Sequence, residues 1–296
     1  MDNKISLFLM TKKGFEVLRA LFQSYGRDFI HVVIAAKDPC LQKDFFSEIE
    51  RFCHEQNIPF FERKNSPLIS TKYSFAISWR WKIPLEKKTK LIVFHDSLLP
   101  KYRGYAPLVN ALINKEEKIG VTAIFACDNF DKGEIIEQSS STIQYPIKIE
   151  KAIDFIIEDY KKLALNIAKI IQEKKVITSV KQNEKEASYS IWRDEKDYEI
   201  DWKNSSHFIK RFIDAVAYPY AGAYTFLNEK KCRILEAEIV EDVFLEIRHY
   251  GKVLFIINSK PVVICGKGLL KIQKAVDDAN QQPILPLTKL RVRFGS

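Results

Sequence analysis

Between residues 5 and 175 the chain alternates short apolar runs with stretches of helical period, and few folds accept that pattern. The apolar runs are 5–10, 29–36, 58–61, 73–78, 91–94, 122–127 and 135–141. Runs of this length, dense in β-branched and aromatic residues, read as strands buried on both faces. Helical periods lie between them: Phe15, Leu18, Leu21 and Phe22 after Gly14, then residues 41–53, then 105–114 with Pro107 in the first turn. The clearest helix is 149–173, whose apolar residues at 149, 153, 156, 160, 163, 167 and 170 form one stripe. The alternation predicts an α/β fold, a Rossmann-like doubly wound and mainly parallel sheet. No GxGxxG follows the first strand, so the dinucleotide fingerprint is absent.

The pattern changes near residue 204. A short helix opens at Ser206, with Phe208, Ile209, Phe212 and Val216 on one face. Short strands follow at 224–227, 232–239, 253–257, 262–264 and 269–272, with turn chemistry at Asn228-Glu229 and Gly266-Lys267-Gly268. This predicts a small β-barrel, and two domains, 1–203 and 204–296. The charged stretch 182–202 reads as an exposed crossing segment.

Composition narrows the classes. The chain has 296 residues, a net charge of +9 and an isoelectric point near 9.1. Its lysines are dispersed, as at Lys12-Lys13, Lys87-Lys88 and Lys161-Lys162, which suits a solvated surface better than a grip on phosphates. The five cysteines are far apart with no CxxC spacing, so they are expected to be free thiols in a reducing cytoplasm, without metal. The first apolar run is too short for a signal peptide, and no run reaches the ~18 residues of a membrane span. His31 and His54 read as a packed strand residue and a helix end; His207 and His249 carry no expected role.

Chemistry concentrates in 91–107, LIVFHDSLLPKYRGYAP. A buried strand runs into His95 and Asp96 and then a Pro/Gly-bounded loop, the place where open α/β sheets put their reactive groups. A second segment, Asp131-Lys132-Gly133-Glu134, follows another apolar run, and Gly133 suits a tight turn there. If the two strands are neighbours, Asp131 meets His95 and orients its imidazole. Asp96 is the alternative carboxylate.

These segments resemble the folate-dependent formyltransferase superfamily. His95, the run Ser97 to Pro100, Gly120-Val121-Thr122 and Asp131-x-Gly133 match its pattern in order and spacing. The resemblance is closest to the sugar-nucleotide N-formyltransferases, including those acting on 4-amino-dideoxy sugars of the pseudaminic-acid type, and to the formylation domains of peptide synthetases. It implies a C-terminal OB-like barrel. It also implies a cytoplasmic transferase moving a formyl group from N10-formyltetrahydrofolate, as co-substrate, to an amine.

The amine attacks the formyl carbonyl, and His95 and Asp131 manage the protons. Arg80, Trp81 and Ile83 would border the pterin. Ser97, Leu98, Lys101, Tyr102, Arg103, Asn110 and Gly133 would line the site, with Tyr189, Trp192 and Arg193 facing the acceptor. One position departs: the family asparagine two residues before the histidine is Val93 here. Its amide helps hold the formyl oxygen, so His95, a backbone N–H near Ser97, or Asn110 is left to replace it. Three readings follow. The expected acceptor is a nucleotide-linked amino-dideoxy sugar, with no nucleic acid or membrane partner and room for a homodimer. The alternatives are a methionyl-tRNA formyltransferase, whose basic insertion after the second strand is missing here, and a non-catalytic folate- or sugar-binding relative.

Overall fold

The computed structural model describes residues 3–287 and 289–295, arranged as two compact units. The first unit comprises residues 1–108, 117–143 and 151–191; the second comprises 109–116, 144–150 and 192–296.

The first unit is built on β1 (Ile5–Leu9), β2 (Ile30–Ala35), β3 (Phe60–Glu62), β4 (Tyr73–Ile77), β5 (Lys90–His95), β7 (Lys118–Phe125) and β8 (Ile135–Thr142). Their order across the sheet is β3-β2-β1-β4-β5-β7-β8. The first five are mutually parallel, and β7 and β8 join antiparallel. Two further strands, β6 (Arg103–Gly104) and β9 (Tyr189–Ser190), pair with each other.

Register explains which side chains can meet. Ile34, Phe8, Ala76, Val93 and Ile124 lie in one row across five strands. Phe8, Val32, Ile34, Ile69 and Ala76 form a buried cluster on that face, and Trp79, Ile83, Leu91 and Val93 pack against it. Side chains alternate along a strand, so Val93 and His95 share this face while Ile92 and Phe94 take the other.

Helix α1 (Thr11–Tyr25) follows β1, helix α3 (Pro107–Ile113) opens on a proline, and helix α4 (Ile149–Gln172) carries the long apolar stripe. The stripe drifts from the 4-3 spacing: at its end Ile171 is buried and Ile170 only half so. A straight helix turns 3.6 residues per turn, so a strict seven-residue repeat slides off its face. Helix α2 (Phe46–Glu55) starts five residues later than the periodicity predicts. The Asp44 carboxylate accepts from the backbone N–H of both Asp38 and Phe46, and Phe45 is left-handed at φ 64°. Local side-chain bonding there wins over helical period.

In the second unit, α5 (Ser206–Ala215) is capped by Ser205, whose Oγ accepts from the Phe208 N–H. Five antiparallel strands follow: β10 (Ala223–Leu227), β11 (Lys230–Val240), β12 (Val253–Ile257), β13 (Lys260–Ile264) and β14 (Leu269–Asp277), in the order β10-β11-β14-β13-β12. Residues 292–295 join both edges, since Phe294 bridges Leu227 and Arg293 bridges Lys252. Phe294 is buried against Trp202, whose indole N–H donates to Thr225 Oγ1 at 2.9 Å.

One ion pair ties α1 to the end of β5. Lys13 donates to Asp96 Oδ2, and the Tyr160 hydroxyl of α4 donates to Asp96 Oδ1. Burial opposes the Asp96 charge, but the Lys13 cation and the two hydrogen bonds outweigh it and hold the carboxyl below its usual range. A depressed carboxyl stabilises the fold above its unfolded pKa of about 3.9 and loses that contribution as pH falls through the folded value. Lys13→Met leaves the carboxylate unpaired and is expected to cost roughly 3 kcal/mol at pH 7. The deficit shrinks as pH falls, because without Lys13 burial favours the neutral acid and Asp96 protonates at a higher pH in the variant than in the wild type. Equal urea midpoints for the two proteins at pH 7 would show that the pair contributes nothing.

Candidate active site

Strand β5 ends on His95, at the carboxyl edge of the parallel strands and opposite Thr122 of β7. The ring is held on one side, where Nε2–H donates to the Tyr102 carbonyl at 2.8 Å. That bond puts the proton of a neutral ring on Nε2 and leaves the Nδ1 lone pair facing Asp131. Asp131 Oδ1 lies 3.5 Å from Nδ1, at the outer limit of a direct hydrogen bond. The histidine is 8% exposed, so its surroundings are protein more than water.

Asp131 stands on the turn from β7 to β8, left-handed at φ 54°, a conformation aspartate accepts better than most residues. Its Oδ2 takes the Gly104 N–H at 2.8 Å. Gly133 is required two residues on, because a Cβ there would lie 1.6 Å from the Phe125 carbonyl oxygen. The expected meeting of Asp131 with His95 is therefore present as geometry, made by the β5–β7–β8 order.

The loop after His95 is fixed from within. Ser97 Oγ donates to the Lys101 carbonyl at 2.7 Å, and the Ser97 N–H donates to the His95 carbonyl at 2.8 Å. Thr122 Oγ1 donates to the Ser97 carbonyl at 2.6 Å and accepts from the Leu99 N–H at 3.0 Å. Gln138 donates to both Thr122 Oγ1 and the Leu99 carbonyl. Leu98 closes over Gly120, where any Cβ would come within 2.8 Å of Leu98 Cδ2. Lys101 is exposed and Tyr102 half-buried.

Arg103 differs from its expectation as a ligand contact. It is the largest fully buried side chain among the described residues. Its guanidinium donates to Gln182 Oε1 at 3.0 and 2.7 Å and to Glu184 at 2.9 and 2.7 Å, and it lies 3.4 Å from the Tyr189 hydroxyl. Its hydrogen bonds and charge pairing with Glu184 raise its affinity for the proton above the usual arginine value. Tyr189 remains 63% exposed, and the same Arg103 contact lowers its hydroxyl pKa. Gly104 permits the β6–β9 pairing, since a Cβ would sit 2.3 Å from the Ser190 carbonyl oxygen at φ 102°.

The loop after β4 carries an aromatic wall. Trp79 packs edge-on to Phe8 at 5.2 Å and to Trp81 at 5.5 Å, and the Arg63 guanidinium lies over the Trp81 ring at 4.5 Å. Arg80 pairs with the buried carboxylate of Asp38. Ile83 and Val93 belong to the same apolar layer. The remaining expected residues lie in the second unit. There Arg193 donates to Asn110 Oδ1 at 3.0 Å, and Trp192 is 61% exposed. Arg193 also lines a cavity of about 140 Å³ with Glu199, Asp201, Phe208 and Phe212.

Residues that the motif reading passed over are those that hold the motif. Gln182 donates to the carbonyls of Asp131 at 2.6 Å and Gly133 at 2.8 Å. Gln138, Lys13 and Tyr160 hold the other side of the loop. A lone glutamine in a charged stretch gives no local signal; it comes here with the segment after α4, which returns to the end of β5 where Arg103 meets it. Among the described residues no cluster of His, Cys, Asp and Glu could hold a metal ion, and no helix is long and apolar enough to cross a membrane.

This arrangement agrees with what the chain is similar to. Residues 85–152 match the family model for formyl transferase, and residues 193–284 match that for the formyl transferase C-terminal domain. The bifunctional polymyxin resistance protein ArnA of Wigglesworthia glossinidia brevipalpis is 31% identical over 292 residues, covering 92% of this chain and 42% of that protein. The methionyl-tRNA formyltransferase of Caldanaerobacter subterraneus subsp. tengcongensis is 30% identical over 192 residues, covering 64% of this chain and 59% of that one. The chain thus spans about half the length of these curated relatives. Among solved structures, the sugar 3N-formyl transferase WlaRD, crystallised with dTDP and 5-N-formyl-THF, superposes with a TM-score of 0.67 at 19% identity, covering 97% of this chain and all of that one, a likeness of fold. With both family models matched in chain order and His95 and Asp131 brought to one sheet edge, the chain belongs to the formyltransferase family.

Proposed function

We propose that this chain transfers a formyl group from N10-formyltetrahydrofolate to the amino group of a nucleotide-linked amino-dideoxy sugar. The observation that carries the reading is the His95–Asp131 pair at the end of β5, with its second ring nitrogen fixed on a backbone carbonyl. The folate supplies the activated formyl group, and the chain's own residues handle the protons. With Nε2–H committed to Tyr102, Nδ1 is the basic atom available to an attacking amine. A proton taken there from the attacking amine turns the ring into an imidazolium facing the Asp131 carboxylate, and that proton is returned to N10 of the folate as the formyl carbon–N10 bond breaks and tetrahydrofolate leaves. Asp96 has no such part, since both its oxygens are engaged by Lys13 and Tyr160. The loop of Trp79, Trp81 and Ile83 offers flat and apolar surface suited to a pterin.

The sugar acceptor is favoured by the likeness to WlaRD over nearly the whole of both chains. A second reading, methionyl-tRNA formylation, is favoured by the named activity of a curated relative. The dispersed lysines argue against it, because a tRNA grip needs clustered cations. Tyr189, well exposed and in the same unit as His95, is the aromatic surface proposed for the acceptor's base or sugar.

His95→Ala is expected to lower turnover by at least about 10²-fold with the fold intact. Asp131→Asn should lose most activity, whereas Asp96→Asn should act first on stability. Full turnover in the His95 variant, or a kinetic loss confined to Asp96→Asn, overturns the assignment. For the acceptor, formyl transfer to dTDP-linked amino sugars is expected, with none to charged methionyl-tRNA. Binding that weakens steeply between low and moderate salt, by the roughly 10³-fold or more expected of a phosphate-gripping site, supports the tRNA reading instead.

A further inference from the structure

We propose that Gln182 is a positioning residue that sets the Asp131 carboxylate against His95. Its amide bonds in two directions at once. Nε2–H donates to the carbonyls of Asp131 at 2.6 Å and Gly133 at 2.8 Å, while Oε1 accepts from Arg103 Nε at 3.0 Å and Nη2 at 2.7 Å. One side chain therefore joins the turn that carries the carboxylate to the segment that carries Tyr102 and Gly104. Those two segments hold the two sides of the site: the Tyr102 carbonyl takes His95 Nε2–H, and the Gly104 N–H meets Asp131 Oδ2. The links close a ring of contacts, from His95 to Tyr102, along the backbone to Arg103, through Gln182 to Asp131, and back to His95. The last step, 3.5 Å, is the longest, so the carboxylate's place is set by the others.

The amide is suited to this task and a carboxylate is not. Arg103 is fully buried and needs acceptors, while the Asp131 and Gly133 carbonyls need a donor. Only a side chain with both, such as Gln, satisfies the two from one position. Asp131 is also left-handed at φ 54°, a conformation that persists when its surroundings hold it. Gln182 supplies that hold at the Asp131 carbonyl itself.

The test is Gln182→Glu. The glutamate keeps an acceptor for Arg103, so the brace to that cation survives, but it sets an oxygen against two carbonyl oxygens. Two readouts follow. The first needs no activity. In the β6–β9 pairing Arg103 N–H donates to Ser188 and Tyr105 N–H to Ser190, whereas Gly104 N–H donates to Asp131. Exchange of the Gly104 amide hydrogen, measured by NMR on the full chain, therefore reports the carboxylate's position. It is expected to speed up by about tenfold or more in the variant, with Arg103 and Tyr105 little changed.

The second readout rests on the formyl-transfer reading above. The kcat should fall about 10- to 10²-fold with KM for both substrates within about twofold. In an Asp131→Asn background the same substitution should add no further loss, because the effect passes through that carboxylate. Wild-type exchange at Gly104 together with wild-type kcat, or losses that simply add in the double variant, overturns the proposal. If Gln182→Glu does not fold, Gln182→Met removes both bonding roles at similar length: faster Gly104 exchange and the lower kcat are still expected, the Arg103 and Tyr105 amides change as well because the cation loses an acceptor, and wild-type Gly104 exchange with wild-type kcat overturns the proposal. If the wild-type chain transfers formyl to no amine acceptor, the functional reading fails, and the Gly104 exchange alone decides the role of Gln182.

Discussion

A guanidinium sealed from water has to be answered by acceptors, and the site is built around that requirement at Arg103. Burying such a charge without partners costs several kcal/mol even after relaxation. The residue's side chain is 0% exposed, and its donors meet Gln182 and Glu184. The partners lie 79 and 81 residues along the chain, so satisfying Arg103 obliges the segment after α4 to return to the end of β5. Once it returns, β9 pairs with β6, Gly104 must be glycine because Ser190 crowds it, and Tyr102 is held with its carbonyl toward His95. One desolvated cation thus orders a loop whose own residues, left-handed at Tyr102 and Ala106, would not otherwise hold this path.

What was legible in the sequence was what local pattern encodes. The apolar runs gave strands within one to four residues of their ends, and the strand-end His95 and the Asp131-x-Gly133 turn came together because neighbouring strands carried them. Gly133 was readable as a turn, although the reason it must be glycine, the Phe125 carbonyl against its α-carbon, is a contact between strands. The α2 boundary was misjudged because the periodicity of Phe45, Phe46, Ile49 and Phe52 continues through a region where Asp44 bonds the backbone. The Arg103 brace was not legible at all. A basic residue beside a glycine in a loop looks like a ligand contact, and the acceptors that engage it sit in a charged stretch that reads as solvent-facing.

Val93 is the departure that geometry explains in part. It lies in the row Ile34, Phe8, Ala76, Val93 and Ile124, above which Trp79 and Ile83 pack. A side chain there meets apolar neighbours on several sides, and a primary amide would need partners for its donors and its oxygen. The valine therefore agrees with its layer, at the loss of the amide that relatives place near the formyl oxygen. The Ser97 N–H, one of the groups considered as its replacement, is already bonded to the His95 carbonyl.

That leaves the electrostatics of the site leaning on the histidine's own surroundings. Asp96 follows His95 directly and Asp131 comes from the turn between β7 and β8, and the fold gives the two acids different partners. The Lys13 cation and the Tyr160 hydroxyl engage both oxygens of Asp96, so much of its charge is compensated at its own carboxylate. Among the described residues the Asp131 carboxylate meets one backbone N–H besides the ring, and a single neutral donor leaves much of the carboxylate's field directed at Nδ1. Two acids near one histidine thus differ in their partners, one paired with a cation and the other facing the imidazole.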